Sequence, residues 1–161
     1  MCCVKLTNSP FPDLKVFNLE SMIVQRLPAF SAQAAVATVN SEVFLATGSS
    51  SNINSTIYKL NTTSNTLSPF QVVTTPYNKK WTSFTIGTTN YMIYANSYTT
   101  GSTISGLYSV SSSGLTSVQN ITCNTGIISW EYFTYNSGSY LAGATVNNTL
   151  TCNNNKIILT N

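Results

Sequence analysis

The sequence predicts an all-β fold, and three observations support this. Aromatic and β-branched residues fall in short segments bounded by clusters of Gly, Asn, Ser, Thr and Pro, which is the pattern of strands. No segment carries an apolar stripe with the 3.6-residue helical period. Three sequence frames recur along the chain at steps of 41 to 50 residues. Four strands in each unit of ~40–50 residues are typical of the blades of a β-propeller, so the frames predict four-stranded blades of that type.

The first frame begins at the two tryptophans of the chain, Trp81 and Trp130, which lie forty-nine residues apart. After each Trp, a Phe follows at the third position, a Thr at the fourth and a Tyr at the tenth; these residues are Phe84, Thr85 and Tyr91, and Phe133, Thr134 and Tyr140. A weaker copy upstream holds Thr38 and Phe44, with Ala34 in place of Trp. Because both tryptophans belong to a repeated strand, we expect them in the blade core rather than as stacking platforms for a sugar or peptide.

The second and third frames lie between copies of the first. The second is aliphatic–aromatic–x–aliphatic and occurs at residues 16–19, 57–60 and 107–110. The third places a glutamine among apolar strand residues, at Gln25, Gln71 and Gln119. Since a buried amide needs partners, we expect these glutamines to bond a neighbouring strand or loop rather than a ligand.

Turn-forming residues separate these frames. Residues 48–52, the pair Ser68-Pro69 and residues 75–78 carry the Gly, Pro, Asn and Ser content of turns. The frames then divide one repeat domain, 1–161, into a partial blade 1–30, two blades 31–77 and 78–126, and a partial blade 127–161.

The length is difficult to reconcile with a closed ring. At about 48 residues per unit the chain holds about 3.4 units, fewer than the four blades of the smallest propellers. The chain is therefore a fragment of a longer protein, or its two incomplete ends pair into one blade, or several chains assemble one ring. The first alternative is favoured because incomplete ends leave unpaired strand edges that few charges protect.

The repeat unit resembles a known family. The segment Trp81 to Asn96, followed by Ser105-Gly106-Leu107-Tyr108 and Val118-Gln119-x-Ile121-Thr122, is similar to the EAR repeat, also called the epitempin or EPTP repeat, of leucine-rich glioma-inactivated proteins. Residues 77–80 and 126–129 depart from the Gly-Ala that usually precedes the aromatic strand, and Leu60 stands where the family often has Trp. The resemblance implies a propeller in secreted or cell-surface proteins that acts in ligand–receptor recognition.

Composition weakens several functional classes. The chain has no histidine, so it offers no His-based triad or metal site. Its four acids, Asp13, Glu20, Glu42 and Glu131, are too few for a carboxylate-rich metal site. The seven basic residues are scattered, unlike the dense stripe that nucleic acid requires. No apolar run reaches the ~18 residues of a membrane-spanning helix, and residues 1–5 lack the apolar region of a signal peptide. We expect no catalytic residue, metal or cofactor, no nucleic-acid partner and no membrane insertion.

Cysteines and sequons give weaker signals. Cys123 and Cys152 either close a disulfide or are two small buried apolar residues. Asn-x-Ser/Thr sequons at Asn54, Asn61, Asn120 and Asn147 are candidate N-glycosylation sites. The chain contains 19 asparagines and 46 Ser or Thr residues, so chance alone produces about this number of sequons. The four sequons are therefore no evidence for secretion.

These observations favour a non-catalytic module that binds a receptor or ligand protein in the extracellular space or at the cell surface. The alternative is a lectin-like module that binds glycans through its polar loops and aromatics; self-assembly to complete a ring is a further expectation. Tyr94, Tyr98 and Tyr135 do not have a counterpart in each copy of the repeat. They are therefore either solvent-facing contact residues or residues that fill the space between blades. An enzyme is the weakest hypothesis, because no Ser-x-x-Lys motif compensates for the missing histidine.

Overall fold

The computed structural model describes residues 33–48, 54–99, 101–145 and 150–152 in full, and 15–17 and 24–26 by their backbone. This part of the chain forms strands and no helix, and so no helix in it could span a bilayer. The strands are β1 (Lys15–Phe17), β2 (Val24–Arg26), β3 (Ala35–Val39), β4 (Glu42–Thr47), β5 (Asn54–Asn61), β6 (Thr66–Thr74), β7 (Asn78–Ile86), β8 (Thr89–Asn96), β9 (Thr103–Ser111), β10 (Gly114–Cys123), β11 (Ile127–Tyr135) and β12 (Gly138–Thr145).

The strands form antiparallel sheets that follow one another along the chain. Two sheets have four strands each, in the orders β3-β4-β5-β6 and β7-β8-β9-β10, and the pairs β1-β2 and β11-β12 form two-stranded sheets. The predicted all-β fold with successive four-stranded sheets is confirmed. No sheet of the described residues closes on itself, and a closed propeller stays a prediction.

The strand register repeats from sheet to sheet. In three sheets the glutamine of the third frame lies opposite the first aliphatic residue of the second frame; the pairs are Val16 and Gln25, Ile57 and Gln71, and Leu107 and Gln119. Bulges recur as well, at Phe70 and Val118 in the fourth strands and at Lys79 and Ile128 in the first strands. The sequence repeat therefore corresponds to a structural repeat, including its irregular positions.

Two hairpins are closed by the same turn chemistry. Asn40-Ser41 joins β3 to β4 and Asn136-Ser137 joins β11 to β12, and all four residues have positive φ. Positive φ at both central residues is the type I′ geometry, whose twist matches that of the flanking strands. Asn suits the first position because it tolerates the left-handed region better than most residues.

The prediction of a turn at Ser68-Pro69 is wrong. Both residues lie inside β6, where Ser68 pairs with Lys59 and Pro69 with Tyr58 next to the bulge at Phe70. Proline is tolerated there because β6 is the edge strand of its sheet, so a missing N–H breaks no second ladder.

Buried side chains hold the sheets together in pairs. One cluster contains Phe44 and Ile57 of the β3–β6 sheet with Trp81, Met92 and Tyr94 of the next sheet. A second joins the β7–β10 sheet to the β11–β12 hairpin through residues that include Phe84, Ile93, Leu107, Ile127 and Trp130. The prediction that Trp81 and Trp130 lie in the core is confirmed, since each is nearly inaccessible to solvent.

The first strands of successive sheets lie side by side. Gln33, just before β3, forms a parallel bridge to β7, in which its N–H donates to Lys79 O and its carbonyl accepts from Trp81 N, both at 3.0 Å. The Ser83 hydroxyl of β7 donates to Val36 O of β3 at 2.8 Å, and the Thr82 hydroxyl donates to Trp130 O of β11 at 2.7 Å. Hydroxyl side chains thus fix the spacing of neighbouring sheets.

Candidate functional site

Antiparallel strands send their connections to two opposite edges of the sheets. The tight hairpin turns lie at one edge, which we call the turn edge. The connections at residues 75–77, 97–99 and 124–126 lie at the other, which we call the loop edge. Loops at a common edge of a rigid scaffold are where binding residues concentrate.

A pair of contacting tyrosine rings stands out at the loop edge. The rings of Tyr77 and Tyr98 have centroids 4.5 Å apart and planes inclined by 31°, and the two residues are 44% and 40% exposed. Close contact between two aromatic rings is favourable, but leaving both rings in contact with water gives up much of the gain from burial. The pair therefore forms an apolar surface that is available to a partner.

The backbone holds this pair in place. Both the N–H and the hydroxyl of Ser97 donate to the Tyr77 carbonyl, each at 3.0 Å, and the Tyr98 N–H donates to Asn96 Oδ1 at 3.0 Å. Tyr77 has a φ of 52°, a conformation that costs a bulky residue of order 1 kcal/mol and clusters at functional sites. The backbone that carries the two rings is thus held in place by hydrogen bonds within the loop edge.

A third loop packs beside the pair. A Cβ at Gly126 would lie 2.4 Å from Tyr98 O, so glycine allows the two backbones to touch. Asn124 then fixes residues 150–152 at the same edge, because Asn124 N donates to Thr151 O and Thr151 N donates to Asn124 Oδ1, at 2.9 and 2.8 Å. Cys123 and Cys152 are disulfide-bonded at this point.

The chemistry of the loop edge is that of non-covalent contact. Residues 75–77, 97–99 and 124–126 contain aromatic, hydroxyl and amide groups and no Asp, Glu, Lys or Arg. Across the described residues no three His, Cys, Asp or Glu side chains come together as metal ligands. The arrangement offers stacking, apolar burial and neutral hydrogen bonds.

The turn edge carries a different feature, an open cavity of about 510 Å³. Its polar lining consists of Asn40, Thr88, Thr89, Ser109 and the residues 111–113, with Val39 and Val110 as apolar members. Asn40 Nδ2 lies 3.4 Å from Ser112 Oγ and spans the cavity between two sheets. Hydroxyl and amide groups dominate this site, and no aromatic ring lines it.

The Lys59–Glu42 ion pair lies on the surface of the β3–β6 sheet. Lys59 Nζ is 2.6 Å from Glu42 Oε1 and lies over the rings of Phe44 and Phe70 at 5.6 and 5.3 Å. The hydrogen bond from Lys59 lowers the pKa of the Glu42 carboxyl below its ordinary value. The pair is a stabilising electrostatic contact between the neighbouring strands β4 and β5.

The predicted contact tyrosines separate into two classes. Tyr94 is buried against Trp81, with ring centroids 5.6 Å apart, and burial raises the pKa of its hydroxyl; the solvent-facing alternative is therefore wrong for Tyr94, which is a filler between sheets. Tyr98 and Tyr135 are exposed. Of the two, Tyr98 has an aromatic partner at the loop edge, and that partner, Tyr77, was not predicted from the sequence.

The sequence signal for Tyr77 was ambiguous. Residues 75–78 indicated a turn, and the turn is there. The positive φ of Tyr77 and its contact with Tyr98 depend on how two successive sheets place their loops. A local sequence pattern carries no information about that placement.

The candidate glycosylation sites differ in their surroundings. Asn54 and Asn61 are the first and last residues of β5 and are exposed, as is Asn120 in β10. Asn61 Oδ1 accepts from the N–H groups of Thr63 and Ser64 at 2.9 and 3.1 Å. Asn147 lies outside the described residues. The use of these sequons stays a prediction.

Comparison with protein families and with curated proteins gives no match for this chain. No protein-family model matches the sequence, and no curated protein matches it. The resemblance to the EAR repeat family therefore rests on the sequence frames alone.

Proposed function

We propose that this chain is a non-catalytic recognition module of EAR-like propeller blades that binds a protein partner through its loop edge. The observation that carries the proposal is the pair of contacting, tilted rings Tyr77–Tyr98, exposed and with its backbone held by the hydrogen bonds of Ser97. Tyrosine supplies a large amphipathic contact area at low entropic cost and is enriched at protein interfaces. An ordered aromatic pair is the kind of anchor that concentrates binding energy.

The propeller architecture is supported by the way the sheets succeed one another. Each four-stranded sheet is a meander in chain order, and the first strands β3, β7 and β11 lie side by side. In a propeller, the innermost strands of neighbouring blades stand in this relation around the central channel. The loop edge would then be one face of the ring.

The extracellular or cell-surface location belongs to the same proposal. The Cys123–Cys152 disulfide fits an oxidising compartment, since disulfides are rare in the cytosol. The exposed sequons at Asn54, Asn61 and Asn120 are accessible to glycosylation in that compartment. Secretion from eukaryotic cells followed by glycosidase treatment tests the use of the sequons: we expect a mass decrease, and an unchanged mass argues against glycosylation.

A screen of extracellular proteins tests the recognition function. The full chain, displayed on an array, should bind at least one partner, and Tyr98→Ser and Tyr77→Asn should each reduce this binding by at least about tenfold, as expected for an anchor residue. Asn is chosen at position 77 because it tolerates the positive φ. Tyr135→Ser, an exposed tyrosine away from the loop edge, is the matched control. Absence of binding by the folded protein, or binding that survives both loop-edge substitutions, contradicts the proposal.

A glycan-binding function is the second candidate, and the turn-edge cavity favours it. Seven of its lining residues carry hydroxyl or amide groups, which suit the hydrogen bonds of a sugar, although no aromatic ring is available for stacking on a sugar face. On a glycan array, Thr89→Val should abolish any binding at this cavity, with the exposed Thr99→Val as control. An array without binding removes this candidate and leaves the protein-recognition proposal intact.

A further inference from the structure

In the part of the chain that the structure describes, the β11–β12 hairpin lacks the third and fourth strands that its counterparts have. In the two four-stranded sheets the second strand carries two ladders: β4 pairs with β3 and β5, and β8 pairs with β7 and β9. Among the described residues β12 pairs with β11 alone. Its outer edge presents the N–H and C=O groups on which a third strand forms in the other sheets.

One face of this hairpin is also uncovered. Phe133 and Tyr140 are stacked at 5.4 Å and are 47% and 46% exposed. The residues at the same places one repeat earlier, Phe84 and Tyr91, are only 8% and 4% exposed, because Tyr132 of the following sheet stacks on Phe84 at 4.8 Å. The exposed pair thus occupies the position of an inter-sheet packing face, and no described residue covers it as Tyr132 covers Phe84.

A glutamine gives an independent sign of the missing strands. Gln71 of β6 holds the fourth strand of the next sheet, because its Nε2 donates to Leu115 O at 2.9 Å and its Oε1 accepts from Leu115 N at 2.8 Å. Gln119 has the same register in β10, and its amide has no hydrogen-bond partner in the described part of the chain. The strand that Gln119 would hold is the fourth strand of the sheet that begins with β11 and β12.

The sheet β1–β2 has the features of the missing half. Its pair Val16 and Gln25 repeats the pairs Ile57 and Gln71, and Leu107 and Gln119, that join the third and fourth strands of the complete sheets. In those sheets the third strand pairs with the second through Ala46 and Ile57, and through Ile93 and Leu107. The same register applied to β12 places Ala142 opposite Val16 and Leu141 opposite Phe17.

We propose that β1–β2 of a second copy of this chain joins the outer edge of β12 and completes a four-stranded sheet shared by two chains. This inference rests on the propeller architecture of the proposed function. The described residues of one chain form two complete sheets and two complementary halves, which together correspond to three blades, one fewer than in the smallest propellers. Two copies that exchange halves hold six four-stranded sheets, a number within the range of propellers, and the exchange closes with two-fold symmetry.

The exchange also accounts for the uncovered face. In the shared ring, the sheet that follows the completed one is the partner's own β3–β6 sheet. Phe133 and Tyr140 then pack against that sheet, as Phe84 and Tyr91 pack against the β11–β12 hairpin within one chain. The contact continues an interface that already occurs between successive sheets.

Mass and cross-linking of the full chain test the exchange. Light scattering should give twice the 17.4 kDa of one chain. In a background with Cys2→Ser and Cys3→Ser, a mixture of Val16→Cys chains and Ala142→Cys chains should form a disulfide between chains on mild oxidation, since opposed Cβ atoms in antiparallel strands lie ~4.5–5.5 Å apart. Neither variant should cross-link alone. Ser139→Cys, three positions out of register with Ala142, is the matched control and should not cross-link to Val16→Cys.

A Gln119→Met variant tests whether the Gln119 amide bonds the main chain of the partner copy. Loss of two hydrogen bonds to the partner's main chain should raise the dimer dissociation constant at least about tenfold, because each bond contributes ~1 kcal/mol, while the thermal unfolding of the separated chain stays unchanged. A single-chain mass at all concentrations, a cross-link formed within one Val16→Cys/Ala142→Cys chain, or equal cross-linking by the Ser139→Cys control overturns the inference. If a strand from residues 153–161 of the same chain occupied the edge of β12, the protein would show a single-chain mass at all concentrations. Loop-edge binding that persists in a monomer would reject the exchange and retain the proposed function.

Discussion

At the scale of single residues, one hydroxyl organises the buried polar groups between the two complete sheets. Ser55 Oγ accepts from Asn78 Nδ2 at 3.0 Å and from Trp81 Nε1 at 3.2 Å, and it also contacts Thr75 Oγ1. Since two N–H donors occupy both lone pairs of the Ser55 oxygen, its proton must point to Thr75 Oγ1. All four side chains are almost completely buried, so each hydrogen bond replaces contacts with water that are no longer available.

Removing this hydroxyl should be costly. Ser55→Ala leaves the N–H groups of Asn78 and Trp81 buried without an acceptor, and we expect a loss of ~2–4 kcal/mol in the free energy of unfolding, since each orphaned donor costs ~1–3 kcal/mol. Urea unfolding followed by tryptophan fluorescence measures it. Ser64→Ala, at an exposed turn, is the control and should change stability by less than ~0.5 kcal/mol. Equal losses in the two variants would contradict the hydrogen-bond assignment.

The Glu42–Lys59 pair predicts a pH dependence. The Lys59 ammonium lowers the pKa of the Glu42 carboxyl below its ordinary 4.5, so the pair adds stability above that value and loses it as pH falls through the folded-state pKa. The difference in melting temperature between wild type and Glu42→Gln should be constant at neutral pH and vanish in acid. Lys59→Met should remove the same acid dependence, and high salt should weaken it because both groups are partly exposed. A wild-type advantage that grows in acid would reject this assignment.

At the scale of elements, neighbouring sheets are joined where a glutamine of one sheet bonds the first residues of a hairpin strand in the next. Gly114 precedes Leu115 with a φ of 110°, and a Cβ there would lie 2.5 Å from Gln71 Oε1. Glycine is therefore required both by the backbone conformation and by the approach of the amide. Through this contact the edge strand β6, which has one ladder in its own sheet, gains a second attachment.

A Gln71→Met substitution tests that attachment. Methionine keeps the volume, but Leu115, which is buried, loses the partners of its N–H and carbonyl, so we expect a loss of about 2 kcal/mol in the free energy of unfolding. Hydrogen exchange should rise at the Leu115 amide before it rises in β8. Ser68→Ala on the same strand is the matched control, because Ser68 is exposed. Unchanged exchange at Leu115 in the methionine variant would argue that the contact contributes no stability.

The same elements show what the sequence contains and what it lacks. The recurring glutamine predicted a hydrogen bond to a neighbouring strand, and Gln71 makes that bond to Leu115. Gln119 makes none among the described residues, and the side chain of Gln25 lies outside them. The edge position of Pro69 could not be predicted, since it depends on where β6 lies in its sheet. Tyr77 and Tyr98 are twenty-one residues apart, and only the packing of successive sheets brings their rings together.

At the scale of the whole molecule, the sheets form a series in which each is packed only on its neighbours. One buried cluster joins the β3–β6 sheet to the β7–β10 sheet, and another joins the latter to β11–β12. In such an array, stability is approximately the sum of the units and their interfaces. The last hairpin has two strands and one described neighbour, so it depends most on additional attachment, which the Cys123–Cys152 disulfide and the Asn124–Thr151 hydrogen bonds provide.

Loss of the disulfide should therefore destabilise the chain strongly. The bond closes a segment of 29 residues, for which chain entropy predicts a stabilisation of ~3–4 kcal/mol, so Cys152→Ser should lower the melting temperature by about 10 °C at this chain length. A reducing agent should bring the wild type to the same midpoint and leave the variant unchanged, and Cys2→Ser is the control without effect. Hydrogen exchange should show β11 and β12 opening first, since the broken bond attaches residues 150–152 to β10 beside them. If the wild type is insensitive to reductant and alkylation finds both thiols free, the attachment must instead come from the packing of Trp130 and Ile127 alone.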